Sequence, residues 1–129
     1  MRTKRLAMAA VLAIVTAACG GASGPPNGPT GIDRSKAVSA TDDTEKGALC
    51  DWFAPMVGGY GNSPTCASYV ISAPPDQTIC VAAFPVCDVT VGQFADCVAA
   101  IVAAQNACTD QALMDAQARP ECVAAAACF

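Results

Sequence analysis

Eight cysteines between residues 42 and 129 constrain this chain more than any other feature of its sequence. Such a density in so short a stretch is typical of a domain stabilised by disulfides rather than by a large apolar core. At least five residues separate successive cysteines, so no CxxC or CxC motif occurs, and the chain has no histidine. Structural zinc sites use close cysteine or histidine pairs and thioredoxin-like sites use CxxC, so neither is expected.

The predicted disulfide cysteines are therefore the eight that follow residue 42. Eight cysteines allow too many pairings for the sequence alone to select one. They are Cys50, Cys66, Cys80, Cys87, Cys97, Cys108, Cys122 and Cys128.

The hydrophobic pattern favours helices, most clearly from Thr90 to Cys108. Thr90 and Gln93 form a capping-box pattern at its start. Apolar residues then recur at alternating spacings of three and four, which places them on one helical face. Cys97 and Cys108 share that face about 16 Å apart along the axis, so they cannot bond to each other. Each must reach a different partner.

Three further helices and a final turn are predicted. Their ranges are 42–57, shortened or kinked by Pro55; 76–84; 109–118, stopped by Pro120; and a last turn within 121–128. The segment 68–71 has strand composition but no evident partner, and we expect an extended loop there. Alanine fills the helices and aromatic residues are few, so the core is small and needs disulfides. We predict a small, disulfide-stapled, all-α domain of about four short helices with irregular loops.

The first 18 residues have the layout of an export signal. Met1 to Arg5 carries three positive charges, an apolar run follows, and small residues end it at Ala17 and Ala18. The apolar stretch from Leu6 to Ala18 has 13 residues. That is well short of the roughly 20 needed to cross a membrane, so a cleaved signal is predicted instead.

The sequence Ala17-Ala18-Cys19-Gly20 resembles the lipobox of bacterial lipoprotein precursors. The resemblance implies cleavage before Cys19, a diacylglycerol on its thiol and an acyl chain such as palmitate on the new amino group. The protein would then be anchored in the bacterial cell envelope, at the outer membrane in a Gram-negative cell. Lipidation of Cys19 also leaves an even number of cysteines for disulfides. Thr16 stands where the family usually has an aliphatic residue, and a secreted protein is the alternative.

A Gly- and Pro-rich segment follows the predicted lipidation site. Residues 20–31 contain five glycines and three prolines, a composition that cannot bury enough apolar surface to fold. We predict that residues 19–41 form a lipidated, flexible tether and that residues 42–129 form the domain.

Charge limits the partners that this chain can take. Removal of the signal leaves four basic residues against eleven acids, a net charge of −7. So acidic a surface does not bind nucleic acid and is repelled by anionic headgroups, so the membrane is reached through the N-terminal lipid. An envelope or extracellular partner of unknown identity is the remaining expectation.

No catalytic residue, metal ligand or cofactor site is predicted. Without histidine the common hydrolytic triads cannot form. Trp52, Phe53 and Tyr60 are the candidate residues for a recognition patch, but in so small a domain core packing is the favoured interpretation. We expect a non-enzymatic envelope lipoprotein that acts as a surface binding or structural module. The alternatives are a small secreted hydrolase or inhibitor that uses its acidic surface or its aromatic patch, and a carrier of a small apolar ligand between the alanine-rich helices.

Overall fold

The computed structural model describes residues 28–63 and 71–129, which form five α-helices. They are α1 (Asp43–Phe53), α2 (Gln77–Ala82), α3 (Val91–Ala107), α4 (Asp110–Gln117) and α5 (Pro120–Ala125). Short 3-10 helices cover Val38–Ala40, Ala54–Val57 and Ala126–Cys128. Within the described ranges no strand occurs beyond an isolated bridge between Ala37 and Thr90. The prediction of a disulfide-stapled, all-α domain is confirmed, with five helices where about four were expected.

Side-chain caps explain where two of the helices begin. The Thr90 hydroxyl accepts a hydrogen bond from the Gln93 amide, and the Gln93 side chain accepts one from the Thr90 amide. Asp42 and Glu45 make the same reciprocal pair at the start of α1. Each pair satisfies amides that a helix N-terminus leaves without intrahelical partners. The capping box predicted at Thr90 is confirmed.

Prolines end one helix and begin another. Pro55 lies at the start of the 3-10 helix that follows α1, so the helix predicted over 42–57 ends as an α-helix at Phe53. Pro120 was expected only to stop the preceding helix, but it is the first residue of α5. Proline suits that position because its missing N–H would have no partner there. The final turn predicted within 121–128 is therefore a short helix with a 3-10 extension.

Buried residues form two groups that meet along α3. The first cluster joins the N-terminal segment and α1 to one face of α3: Ile32, Val38, Leu49, Trp52, Ala54, Val57, Ala73, Cys87, Val91, Phe94, Ala95, Val98 and Val102. The second cluster joins another face of α3 to α4 and α5: Cys97, Ile101, Ala104, Ala116, Cys122 and Ala125. Helix α3 contributes to both clusters and is therefore the central helix of the domain. It packs against α4 and α5, and α1 packs on α2.

Three disulfides lie wholly within the described residues. Cys50–Cys80 joins α1 to α2, Cys87–Cys128 joins the segment before α3 to the last 3-10 helix, and Cys97–Cys122 joins α3 to α5. Cys108 is also disulfide-bonded. As predicted, Cys97 and Cys108 do not bond to each other, and α3 is held at two levels.

The N-terminal boundary of the packed domain differs from the predicted one. Ile32 and Val38 are buried in the first cluster. The Val38 amide donates to the Val89 carbonyl at 2.8 Å, and the Val91 amide donates to the Lys36 carbonyl at 2.8 Å. The flexible tether predicted for residues 19–41 is therefore wrong over 32–41. These residues pair with the segment before α3 and with the first turn of α3, a contact distant in sequence that local composition does not reveal.

Some sequence predictions fall outside the described residues. They are the signal peptide, the lipidation of Cys19, the pairing of Cys66 and most of the loop predicted at 68–71. Among the helices that the structure does describe, none combines the length and the apolar character that a membrane span requires.

Candidate functional site

An apolar cavity of about 210 Å³ opens between α1, α2 and the first part of α3. Leu49 and Trp52 form the α1 wall, Phe84 follows α2, and Phe94 and Val98 form the α3 wall. Protein interiors seldom leave voids larger than a water molecule. A space of this size among large apolar side chains therefore marks a candidate binding site.

Aromatic residues converge on this cavity. Five of the six aromatic side chains within the described residues line it: Trp52, Phe53, Phe84, Phe94 and Phe129. Phe94 lies at the centre, with its ring centroid 5.6 Å from that of Phe84 and 5.8 Å from that of Phe129. Aromatic rings supply most of the apolar contact area that a small core has to offer. Here they surround a space instead of closing it.

Trp52 is 7% exposed, and its Nε1–H has no hydrogen-bond acceptor among the described residues. The Nε1 atom is also inaccessible to solvent. An unpaired buried donor costs about 1 to 3 kcal/mol, so packing and not hydrogen bonding holds the indole in place. Because the N–H is shielded, the indole presents carbon atoms and no polar anchor to the cavity.

A polar clamp fixes the α1 and α2 walls. The Asp51 carboxylate accepts hydrogen bonds from the Tyr60 hydroxyl at 2.7 Å and from Gln77 Nε2 at 2.8 Å. Burial, followed by this contact with Asp51, raises the pKa of the Tyr60 hydroxyl. Next to the clamp, the Cys50–Cys80 disulfide ties the same two helices covalently, and both cysteines line the cavity. The two walls are therefore held at a fixed separation.

A buried glutamine holds Ile71 at the third side of the cavity. The Gln105 side chain accepts a hydrogen bond from the Ile71 amide at 2.6 Å and donates one to its carbonyl at 3.2 Å. This paired contact satisfies the backbone of an irregular segment that has no helix or strand to do so. Ile71 lines the cavity as a result.

No ionisable side chain is found among the described residues that line the cavity. The four basic residues from position 28 onward all form ion pairs elsewhere. The pairs are Arg34–Asp96, Lys36–Glu45, Lys46–Asp43 and Arg119–Glu121. A cavity without a cation, in a domain with excess negative charge, favours an uncharged occupant over an anionic one.

Carboxylates have structural roles in this arrangement. Asp51 holds the polar clamp, Asp96 pairs with Arg34, Asp88 accepts from the Ser39 hydroxyl and Asp115 accepts from Gln111. Among the described residues, no group of three or more acidic, cysteine or histidine side chains could hold a metal ion.

Trp52, Phe53 and Tyr60 pack against the first cluster, as the favoured interpretation of these residues predicts, and do not form an exposed recognition patch. Trp52 lies in the first cluster, Phe53 and Tyr60 are half-buried against it, and only Trp52 and Phe53 line the cavity. Sequence reasoning missed Phe84 and Phe129, which lie far apart along the chain. The burial of Phe94 could be predicted from the sequence, since this residue belongs to the predicted apolar face of α3.

The comparisons with known proteins give no relative. No family model, no curated protein and no solved structure matches this chain.

Proposed function

We propose that this chain is a non-enzymatic, lipid-anchored protein of the bacterial cell envelope whose helical domain binds a small, uncharged, apolar ligand. The observation that carries the ligand proposal is the aromatic-lined cavity between α1, α2 and α3. The domain of 42–129 predicted from the sequence extends upstream to residue 32 in this proposal.

The size and lining of the cavity support this ligand class. An apolar protein cavity of about 150 Å³ stays dry and admits benzene, and the cavity here is larger. A ligand that fills it gains the contacts that Trp52, Phe84 and Phe94 lack on their cavity sides. Ligand sites are commonly apolar clefts with few polar groups, which matches this lining.

The membrane anchor rests on the N-terminal sequence. The lipobox-like Ala17-Ala18-Cys19-Gly20 and the odd cysteine count support acylation of Cys19. The disulfides are compatible with an oxidising compartment outside the cytoplasm. An anchored domain would meet apolar molecules that dissolve in the adjacent bilayer.

Ligand binding can be tested with 1-octanol and the fluorescence of Trp52, the only tryptophan in the chain. We expect a saturable change in Trp52 emission as 1-octanol is added to the purified protein. Ala83 is exposed and lines the cavity, so Ala83→Phe should fill the mouth and weaken binding by about ten-fold or more.

Ala82→Phe is the matched control, because Ala82 is exposed on α2 and is not part of the cavity lining. It should bind 1-octanol as the wild type does. A Trp52 emission that 1-octanol leaves unchanged, or an equal loss of affinity in both variants, would reject the cavity as the binding site.

The anchor has an independent test in the intact mass and peptide map of the protein extracted from membranes. We expect acyl chains on the peptide that begins at Cys19 and a disulfide between Cys108 and Cys66. An unmodified Cys19, or a disulfide from Cys19 to Cys108, would contradict the lipid anchor and leave the secreted alternative.

A further inference from the structure

A second cavity of about 440 Å³ adjoins the first on the side of α5. The two cavities share Ile71, Ile101 and Phe129 in their linings. Beyond these shared residues the second cavity is lined by α5 residues such as Val123 and by the end of α4 at Gln117. The two spaces therefore lie side by side at the same level of α3, and three side chains line both of them.

Phe129 is the least restrained of the three shared residues. Its side chain is 70% exposed, and its ring stacks on that of Phe94. Ile101, in contrast, is buried in the middle of α3, and Ile71 is fixed by Gln105. An exposed side chain changes rotamer on a fast timescale, so Phe129 can move aside without disturbing the core.

The chemistry of the combined lining selects an uncharged occupant. Ser72 in the first cavity and Gln117 in the second are hydrogen-bonding groups without charge. No ionisable side chain is found in either lining among the described residues. A hydroxyl or ester can be satisfied at such groups, whereas a carboxylate or phosphate would lie in an acidic domain without a cation.

We propose that the two cavities together hold one neutral, single-chain lipid whose alkyl chain passes Phe129. This inference rests on the proposed function, because it assigns the ligand class for the same site. A ring or a branched ligand would fill only the first cavity. A straight, flexible chain is the shape that can extend from the first space past one movable side chain into the adjoining space.

A series of 1-alkanols tests the length of the site in the full chain. The probes are 1-hexanol, 1-octanol, 1-decanol and 1-dodecanol. Their affinities are measured from the change in Trp52 emission, or from the displacement of bound 1-octanol. If the chain extends into the second cavity, affinity should rise about ten-fold or more with each added pair of methylenes up to 1-dodecanol. Affinity that stops rising at 1-octanol would overturn this inference and leave the proposed function in place. Failure of every alkanol to bind would reject both.

Val123→Glu places a charge in the second cavity alone. Val123 is 63% exposed, so the variant should fold, and glutamate is a good helix former. We expect 1-dodecanol to bind at least about ten-fold more weakly, while 1-hexanol binds as before. Val86→Glu is the matched control, because Val86 is exposed and lies in neither lining. Equal weakening of 1-hexanol and 1-dodecanol by Val123→Glu, or no weakening of either, would contradict the two-cavity site.

Discussion

The first and second clusters share helix α3 but are stabilised in different ways. The first cluster has 13 buried residues and includes Leu49, Trp52 and Phe94. The second has six, of which three are alanines and two are the cysteines of the Cys97–Cys122 disulfide. Burial free energy scales with apolar area, and alanine contributes little of it. The second cluster therefore depends on its disulfide, whereas the first depends on packing.

This difference bears on the cavity. The second cluster has few large apolar side chains, so its composition alone accounts for an unfilled space such as the second cavity, and the part of that cavity in ligand binding rests on the lining residues that it shares with the first. The aromatic-lined cavity instead lies against the first cluster, where the largest side chains are concentrated. Side chains able to close the space are present, but the polar clamp and the Cys50–Cys80 disulfide fix α1 and α2 relative to each other. This is the arrangement expected of a binding site.

The largest expected effect comes from removing a packed side chain in the first cluster. Leu49 is 1% exposed, and Leu49→Ala should lower the free energy of unfolding by about 3 to 5 kcal/mol. Leu49→Met conserves volume and should cost less than about 1.5 kcal/mol. Denaturant unfolding measures both. A loss below 1 kcal/mol in Leu49→Ala would show that packing does not hold this cluster.

Removing the disulfide of the second cluster should have a local as well as a global effect. The sequence separation of Cys97 and Cys122 is 25, for which the chain-entropy model gives about 3.5 kcal/mol. The double variant Cys97→Ala/Cys122→Ala should also lose hydrogen-exchange protection in α5 and α4, while α1 keeps its protection.

The matched control removes the Cys50–Cys80 disulfide. Its sequence separation is 30, so the expected loss of stability is nearly the same, but the loss of protection should fall on α2. If both double variants lose protection uniformly over the chain, the two clusters do not differ in how they are stabilised.

Removing a helix cap should lower the stability by a smaller amount than removing a disulfide, and the caps of α3 and α4 should differ. Thr90 and Gln93 cap each other at the start of α3, and Thr90→Ala should cost about 1 kcal/mol. Thr109 caps α4 through a single contact of 3.3 Å to the Ala112 amide, so Thr109→Ala should cost less. Thermal unfolding of the two variants, with Thr90→Ser as a control that keeps the hydroxyl, checks this order. The reverse order would show that α4 relies on its cap more than α3 does.

The smallest expected effect is the pH dependence of one ion pair. The contact with Lys36 Nζ at 2.6 Å, followed by the Asp42 amide, lowers the pKa of Glu45 below its ordinary value of 4.5. A lowered carboxylate pKa contributes stability that is present above 4.5 and is lost as the pH falls through the folded-state value. Glu45→Gln should therefore flatten the acid side of the stability curve.

Lys36→Gln should flatten the curve in part, because the Asp42 amide still contacts Glu45. The double variant should add little to Glu45→Gln, since both changes remove the same contact. Additive effects of the two single changes on stability below pH 4.5 would contradict the shared pair.

Helix positions could be predicted from this sequence because their signals are local. Thr90 with Gln93, the apolar spacing along α3 and Pro55 after α1 each act within a few residues. The packing of residues 32–41 could not be predicted in this way. The Val38 amide donates a hydrogen bond to the Val89 carbonyl, which lies far away in the sequence, and no periodic pattern encodes such a contact.

The candidate site was predictable only in its general class. Alanine-rich helices and a small core suggested a carrier of an apolar ligand as one alternative. The convergence of Phe84, Phe94 and Phe129 depends on the tertiary arrangement and on the Cys87–Cys128 disulfide next to Phe129. The pairing of cysteines has no sequence signal, so this convergence could not be foreseen.

The most direct test of the proposed binding site is an NMR measurement of intermolecular NOEs between 1-octanol and the full-length protein. We predict NOEs from the alkanol methylenes to the ring protons of Trp52, Phe84 and Phe94, which line the cavity on three sides. NOEs confined to exposed residues such as Val86 and Met114, with none to these three rings, would contradict the binding site.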